Sequence, residues 1–163
     1  MKNNHPLSAE FLLQHTQLLI QSYQHWTGKA LITNTTSTAS NDVVQSLLTA
    51  PFAVASHDTQ ADPVFNYANH QALTLFKMNA DEMLGLPSRY SAEPTLQEGR
   101  AEFLEKVAKN GFVDDYSGIR IAKDGSRFLI EQVTVWNLID VHQAQHKQAV
   151  LGQAVLIKKW HRL

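Results

Sequence analysis

Apolar residues recur along this chain with two different periods, and the change falls at Pro51. Before it the spacing is helical. Leu12, Leu19, Tyr23 and Trp26 follow a three-and-four-residue rhythm, with His15 or Thr16 filling the gap, which predicts a helix over about 8–26. Ser8, just after Pro6, can cap it by accepting from an early backbone N–H, and Gly28 ends it. Residues 33–41 form a polar linker. A shorter helix over about 42–50 follows, with Val43, Val44, Leu47 and Leu48 on one side and Pro51 as its stop.

Beyond Pro51 the period shortens. Phe52–Ser56 and Val64–Ala68 read as strands either side of a polar turn, with Phe65 and Tyr67 sharing one face by the period-two rule. Asn69 caps a short helix over 70–77, and Asn79-Ala80-Asp81-Glu82 resembles a capping box closed by Gly85 and Pro87. A longer helix spans 95–110, opened by a Thr95–Glu98 capping box and ended by Gly111. Phe112–Ala122 and Ser126–Ile139 alternate around Asp124-Gly125, the strongest short signal for a hairpin. A two-residue turn would pair Ile121 with Phe128, Ile119 with Ile130, and Gly118 with Glu131. A polar loop over 140–147 leads to a last strand, Gln148–Trp160, with Gly152 as a bulge.

In the 126–139 strand, Phe128 and Ile130 face one way while Leu129, Val133 and Val135 face the other. A sheet apolar on both faces must be covered on both. The expected architecture is therefore α+β. It is a five-stranded antiparallel sheet with helices on one face, residues 51–163, and an N-terminal helical extension, residues 1–50, over the other.

Composition changes this picture at three points. With 163 residues and 44% apolar content the chain can fill a core as one unit. It has no cysteine, so disulfides, thiolate metal sites and a cysteine nucleophile are excluded. Fourteen basic against fifteen acidic residues argue against nucleic-acid binding, and no apolar run approaches a membrane span, so the expected location is the cytoplasm. The balance hides an asymmetry. Residues 1–56 hold only Lys2, Glu10, Lys29 and Asp42 of the 29 formal charges, which suggests a segment packed against something.

Several strings in order carry a resemblance: Ser56-His57-Asp58, VFNYANHQAL from Val64, GLPSR from Gly85, SAEP from Ser91, NGFVDDYSGIRI from Asn110 and VWNLID from Val135. Together they resemble the MEKHLA domain family, a PAS-like module, over about Leu12 to Trp160. The resemblance implies a PAS-like fold and a sensory or ligand-binding role. The family's eponymous string is absent, and no homeodomain or zipper lies within the chain, so DNA binding is not carried over.

The candidate site is a small-molecule pocket between sheet and helices. Its wall would come from Tyr67, Phe76, Met83, Phe103, Val107, Phe112, Ile119, Ile121, Phe128, Ile130 and Trp136. Asn69, Arg89, Tyr90, Tyr116 and Gln132 would offer polar points. The plain alternative is that the apolar residues fill a core. The ligand and any cofactor are unknown from sequence. A light-sensing flavin of the PAS kind would need an adduct-forming cysteine, and a haem would need an axial histidine where helix 95–110 has none, leaving only His70. His142-x-x-x-His146 with Asp140 reads as a solvated loop rather than a metal site. Ser56-His57-Asp58 reads as turn capping.

The expected function is a PAS-like sensor that binds a small molecule and signals by association, with the N-terminal helices as the surface for a homodimer. One rival is an acid–base enzyme using Asp115, Tyr116 or Glu131. The other is a structural dimerisation module.

Overall fold

The computed structural model describes residues 6–33, 40–92 and 97–163. The N-terminal helix α1 runs Ala9–Thr27. Ser8 Oγ accepts from the Phe11 N–H, and Gly28 ends the helix with a left-handed φ of 71°. Helix α2 follows at Ser40–Leu48. Most of the polar linker and the Thr95–Glu98 capping box fall outside the described residues.

Strands β1 (Ala53–His57) and β2 (Phe65–Ala68) form the first antiparallel pair. The short helices α3 (His70–Phe76) and α4 (Ala80–Met83) come next, and Asn79 and Glu82 close a true capping box on α4. Helix α5 (Gln97–Asn110) leads to the long hairpin β3 (Phe112–Ile121) and β4 (Arg127–Leu138). The last strand is broken at Lys158 into β5 (Gly152–Ile157) and β6 (Lys159–Arg162), which pair with successive halves of β4. The sheet order is β2-β1-β5-β4-β3, all antiparallel neighbours.

Both faces are covered, as expected, but by different residues. Helices α3, α4 and α5 bring Phe76, Met83 and Val107 onto an inner face built from Ala53, Ala55, Phe65, Phe128, Ile130, Val133 and Val135. Helices α1 and α2 bring Leu12, Leu19 and Leu47 onto an outer face built from Val54, Tyr67, Trp136, Leu138 and Leu156.

Two bulges explain the exchange. Ser56 pairs with Tyr67 but His57 pairs with Phe65, so Asn66 is an extra residue and puts Phe65 and Tyr67 on opposite faces. In β4, Gln132 adopts φ 52°, and the register slips between Tyr116 and Gly118 of β3. That slip returns Val133 and Val135 to the face of Phe128 and Ile130, contrary to simple alternation.

The hairpin is also shifted by one. Ala122 N–H donates to the Ser126 carbonyl and Gly125 N–H to the Ala122 carbonyl, so the turn is wider than two residues. Ile121 therefore faces Arg127, Arg120 faces Phe128, Ile119 faces Leu129, and Gly118 faces Ile130. Gly152 is not bulged but pairs with Leu138; a Cβ there would come within 2.6 Å of the His57 carbonyl oxygen.

Candidate functional site

The bulges divide the candidate residues. Phe76, Met83, Phe128 and Ile130 lie together in the inner core, almost fully buried, with Phe103 and Tyr116 half-buried at its α5 edge. Tyr67, Phe112 and Trp136 belong instead to the outer face under α1, because the Asn66 and Gln132 bulges and a further register shift between Val113 and Tyr116 of β3 change which way each strand points. Ile119 and Ile121 also face outward, since their partners Leu129 and Arg127 alternate with the inward Phe128 and Ile130.

The polar candidates mostly serve structure. Asn69 is fully buried and uses its whole amide. Its Oδ1 accepts from the Val54 and Ala72 N–H groups, while Nδ2 donates to the Leu47 and Phe52 carbonyls. It ties α2, β1 and α3 together and has no capacity left for a ligand. Arg89 and Tyr90 stand on the surface, the guanidinium stacked 4.3 Å over the phenol ring and paired with Asp62 at 3.1 Å. Gln132 is exposed at its bulge.

What the fold does assemble is an aromatic and polar cluster between α5 and the inner side of β3. The Tyr116 ring lies 4.6 Å from Phe103 and runs along the strand over Gly118, where an added Cβ would meet the phenol oxygen at 2.6 Å. Arg120 Nη2 donates to that oxygen at 3.3 Å. Its guanidinium sits 5.6 Å from the Tyr116 ring centroid. Val107, four residues along α5 from Phe103, is buried in the inner core, and the members of the cluster are half-buried. The arrangement offers an aromatic wall, a hydroxyl and a permanent cation, suited to a flat apolar molecule carrying one acidic or acceptor group. The sequence signal for it is Tyr116-x-Gly118-x-Arg120 on one face of a strand, obscured by the expected pairing of Gly118 with Glu131.

Glu131 in fact faces outward and pairs with Lys159 at 3.5 Å and His161 at 3.4 Å. Tyr116 faces inward and Asp115 is exposed. Asp58 caps its turn, accepting from the Gln60 and Val64 N–H groups. Ser56 does not cap; its hydroxyl lies 2.8 Å from His15 Nε2 and donates to Asn66 Oδ1 at 2.6 Å. His57 Nδ1 lies 2.9 Å from Ser88 Oγ. His70, His142 and His146 are exposed, and no group of three metal-ligating side chains converges among the described residues. An open depression on the solvent side of α5 is lined by Glu102, Glu105, Lys106, Lys109 and Asn110 and contains none of the pocket candidates.

A second buried polar set lies under α1. Tyr67, Ser56, Ala154 and Trp136 form one row across β2, β1, β5 and β4. Helix α1 crosses that row, His15 against Tyr67 and Tyr23 against Trp136. Burial pushes the His15 imidazole down to about 4 and raises the Tyr67 phenol above its ordinary range. Further along, Trp26 Nε1 donates to the Asn137 carbonyl at 2.8 Å. Asn137 N–H donates to the Gly111 carbonyl, and its Nδ2 to the Val107 carbonyl. The end of α1 is thereby joined to the end of α5.

The MEKHLA domain family matches residues 13–162. The chain belongs to that family. Its fold is that of PAS and LOV domains. A PAS domain from Colwellia psychrerythraea superposes with TM-score 0.60 at 16% identity, covering 72% of this chain and 93% of that one. The dark structure of the blue-light photoreceptor Aureochrome1 LOV gives 0.53 at 19%, covering 77% and 88%. A light-oxygen-voltage domain studied with a flavin analogue gives 0.55 at 22%, covering 75% and 84%. No curated protein matches the chain. None of the helices among the described residues is long and apolar enough to cross a membrane.

Proposed function

We propose that this MEKHLA domain is a sensory module that binds a small, flat, largely apolar molecule with one acidic or acceptor group at the Phe103–Tyr116–Arg120 cluster between α5 and β3. The observation that carries the reading is the half-buried Tyr116–Arg120 pair beneath Phe103, at the edge of the apolar inner core. Ligand entry would move the Tyr116 ring off Gly118 and press on α5. The Val107–Asn137–Trp26 junction would carry that displacement to α1 on the other face. Output would then pass through association. The flavin of the structural neighbour belongs to that protein; this chain has no cysteine for a thiol adduct, and no flavin is proposed for it.

The test is native mass spectrometry of freshly purified protein against its denatured mass. A retained small molecule is expected, and Arg120→Leu should lower the retained fraction about tenfold by removing a charge-assisted contact. Equal native and denatured masses would overturn the reading, as would a ligand held equally well by Arg120→Leu.

A further inference from the structure

The backbone does not need a glycine at position 118. A glycine inside a strand weakens it, and it marks a bulge, a bend or a close approach by something else. Gly118 has no positive φ, and where the register slips beside it the left-handed residue is Gln132 on the partner strand. At Gly152, also without a positive φ, the close neighbour is the His57 carbonyl oxygen, fixed in the backbone. At Gly118 it is a side chain that can turn, the Tyr116 phenol, whose oxygen an added Cβ would meet at 2.6 Å. The register sets Gly118 beside Ile130 and Arg120 beside Phe128, both fully buried. The bare stretch of β3 is thus bordered by apolar side chains and ends at a guanidinium. Phe103 packs on the ring that lies over it.

We propose that the Tyr116 side chain stands in the ligand's own place, and that the ligand is an aromatic carboxylic acid. Its ring takes the phenol's position over Gly118 and against Phe103, and its carboxylate takes the hydroxyl's position on Arg120. This names the ligand class of the sensory site proposed above and rests on that reading. The phenol is the template, a planar ring with one oxygen acceptor in its plane. It holds the place weakly. One guanidinium N–H at 3.3 Å from a neutral oxygen is a long bond, and 5.6 Å to the ring centroid is near the outer reach of a cation–π contact. A carboxylate accepts two parallel N–H bonds from the same fork, each roughly twice as strong as a neutral one. An aromatic acid therefore displaces the phenol. An amide of the same shape offers Arg120 no more than Tyr116 already does, and a cation is repelled. A carboxylate also lies in the plane of its ring, as the phenol oxygen does, whereas a tetrahedral phosphate does not match so flat a place. Arg120 stays where it is, because its backbone bridges Ala92 on one side and pairs with Phe128 on the other.

The experiment titrates benzoate, benzamide and phenyl phosphate separately into the full chain, read by calorimetry and ligand-observed NMR. Benzoate should bind about tenfold more tightly than either of the others, and Arg120→Leu should erase the difference. Tyr116→Ala should tighten benzoate severalfold, because it removes the occupant; the loss of a ring that merely lined the site would weaken it. Gly118→Val should abolish binding by filling the place from the strand side, with the melting transition as the check on folding. Should Gly118→Val fail to fold, Tyr116→Ala decides alone. Equal affinities for the three probes, tighter binding of phenyl phosphate, or weaker benzoate binding by Tyr116→Ala overturns the proposal. A retained neutral molecule that Arg120→Leu releases would leave the sensory site standing while the acid falls. Selective benzoate binding by a chain that retains nothing would keep the acid while the retained-ligand reading falls.

Discussion

The two faces of the sheet are both buried, yet they are built to different standards. On the inner face Phe65, Phe76, Phe128, Ile130 and Met83 interlock, and the buried groups are apolar. On the outer face α1 settles over a row whose middle is small, Ser56 and Ala154, and whose ends are Tyr67 and Trp136. Among the described residues, every buried side-chain polar atom without a hydrogen-bond partner lies there: Thr16 Oγ1, Tyr67 OH and Trp136 Nε1. Each such group costs about 1–3 kcal/mol. His15 adds a desolvated imidazole between Phe11 and Tyr67. The inner face is a core. The outer face is a docked interface, closed firmly at Ser22, whose hydroxyl both donates to the Ile139 carbonyl and accepts from its N–H, and at Trp26. A helix held at its end but poorly satisfied along its middle can loosen before the core does.

The sharpest way to break the comparison is Gly111→Ala. Gly111 has φ 83°, and an added Cβ would lie 2.4 Å from the Trp26 ring. Left-handed strain and overpacking together should cost about 3 kcal/mol. The loss should fall unevenly, with faster hydrogen exchange in α1 than in α3 and β1. Equal loss of protection on both faces would show one cooperative unit and sink the distinction.

How far the sequence carried this can be seen at particular residues. Caps were legible because they need a polar side chain at a fixed offset: Ser8, Asn69 and the Asn79–Glu82 box all cap as read. Coverage of both sheet faces was legible too, although Val133 and Val135 were assigned to the wrong one. Alternation assumes an unbroken pleat, and neither Asn66 nor Gln132 announces a bulge; Gln132 is not a glycine yet takes a left-handed φ. Those two breaks moved Tyr67 and Trp136 out of the candidate pocket. Asn69 was read correctly as a cap but not as a fourfold tie, because its other partners, Leu47, Phe52 and Val54, come from segments the sequence does not show meeting. The Tyr116–Arg120 contact depended on a hairpin register off by one residue.

A change of pH should probe the outer face alone. His15 titrates near 6.5 when free and at about 4 in the fold, so the loosened or unfolded chain takes up the proton first as pH falls. Stability is therefore fully present above about 6.5 and declines toward 4, with roughly 2 kcal/mol lost at about pH 5. The groups packed on the imidazole, Phe11, Ser56 and Tyr67, carry no opposing charge to soften this. Urea melts at about pH 7.5 and about pH 5 should show this loss in the wild type and a much smaller one in His15→Gln. Matching losses would place the titration elsewhere.

The smallest effect discriminates most finely, because one chemical change should act with opposite sign on the two faces. Tyr67→Phe removes a buried hydroxyl that has no partner, so it should stabilise the fold by about 1 kcal/mol. Thr16→Val removes a second such hydroxyl at nearly constant shape and should do the same. Tyr116→Phe removes a hydroxyl that accepts from Arg120, so it should destabilise by about 0.5–1 kcal/mol. Denaturant melts of the three variants resolve differences of this size when the slopes stay constant. Should Tyr67→Phe and Thr16→Val both destabilise, the hydroxyls under α1 are satisfied in solution, and the outer face is as well made as the inner one.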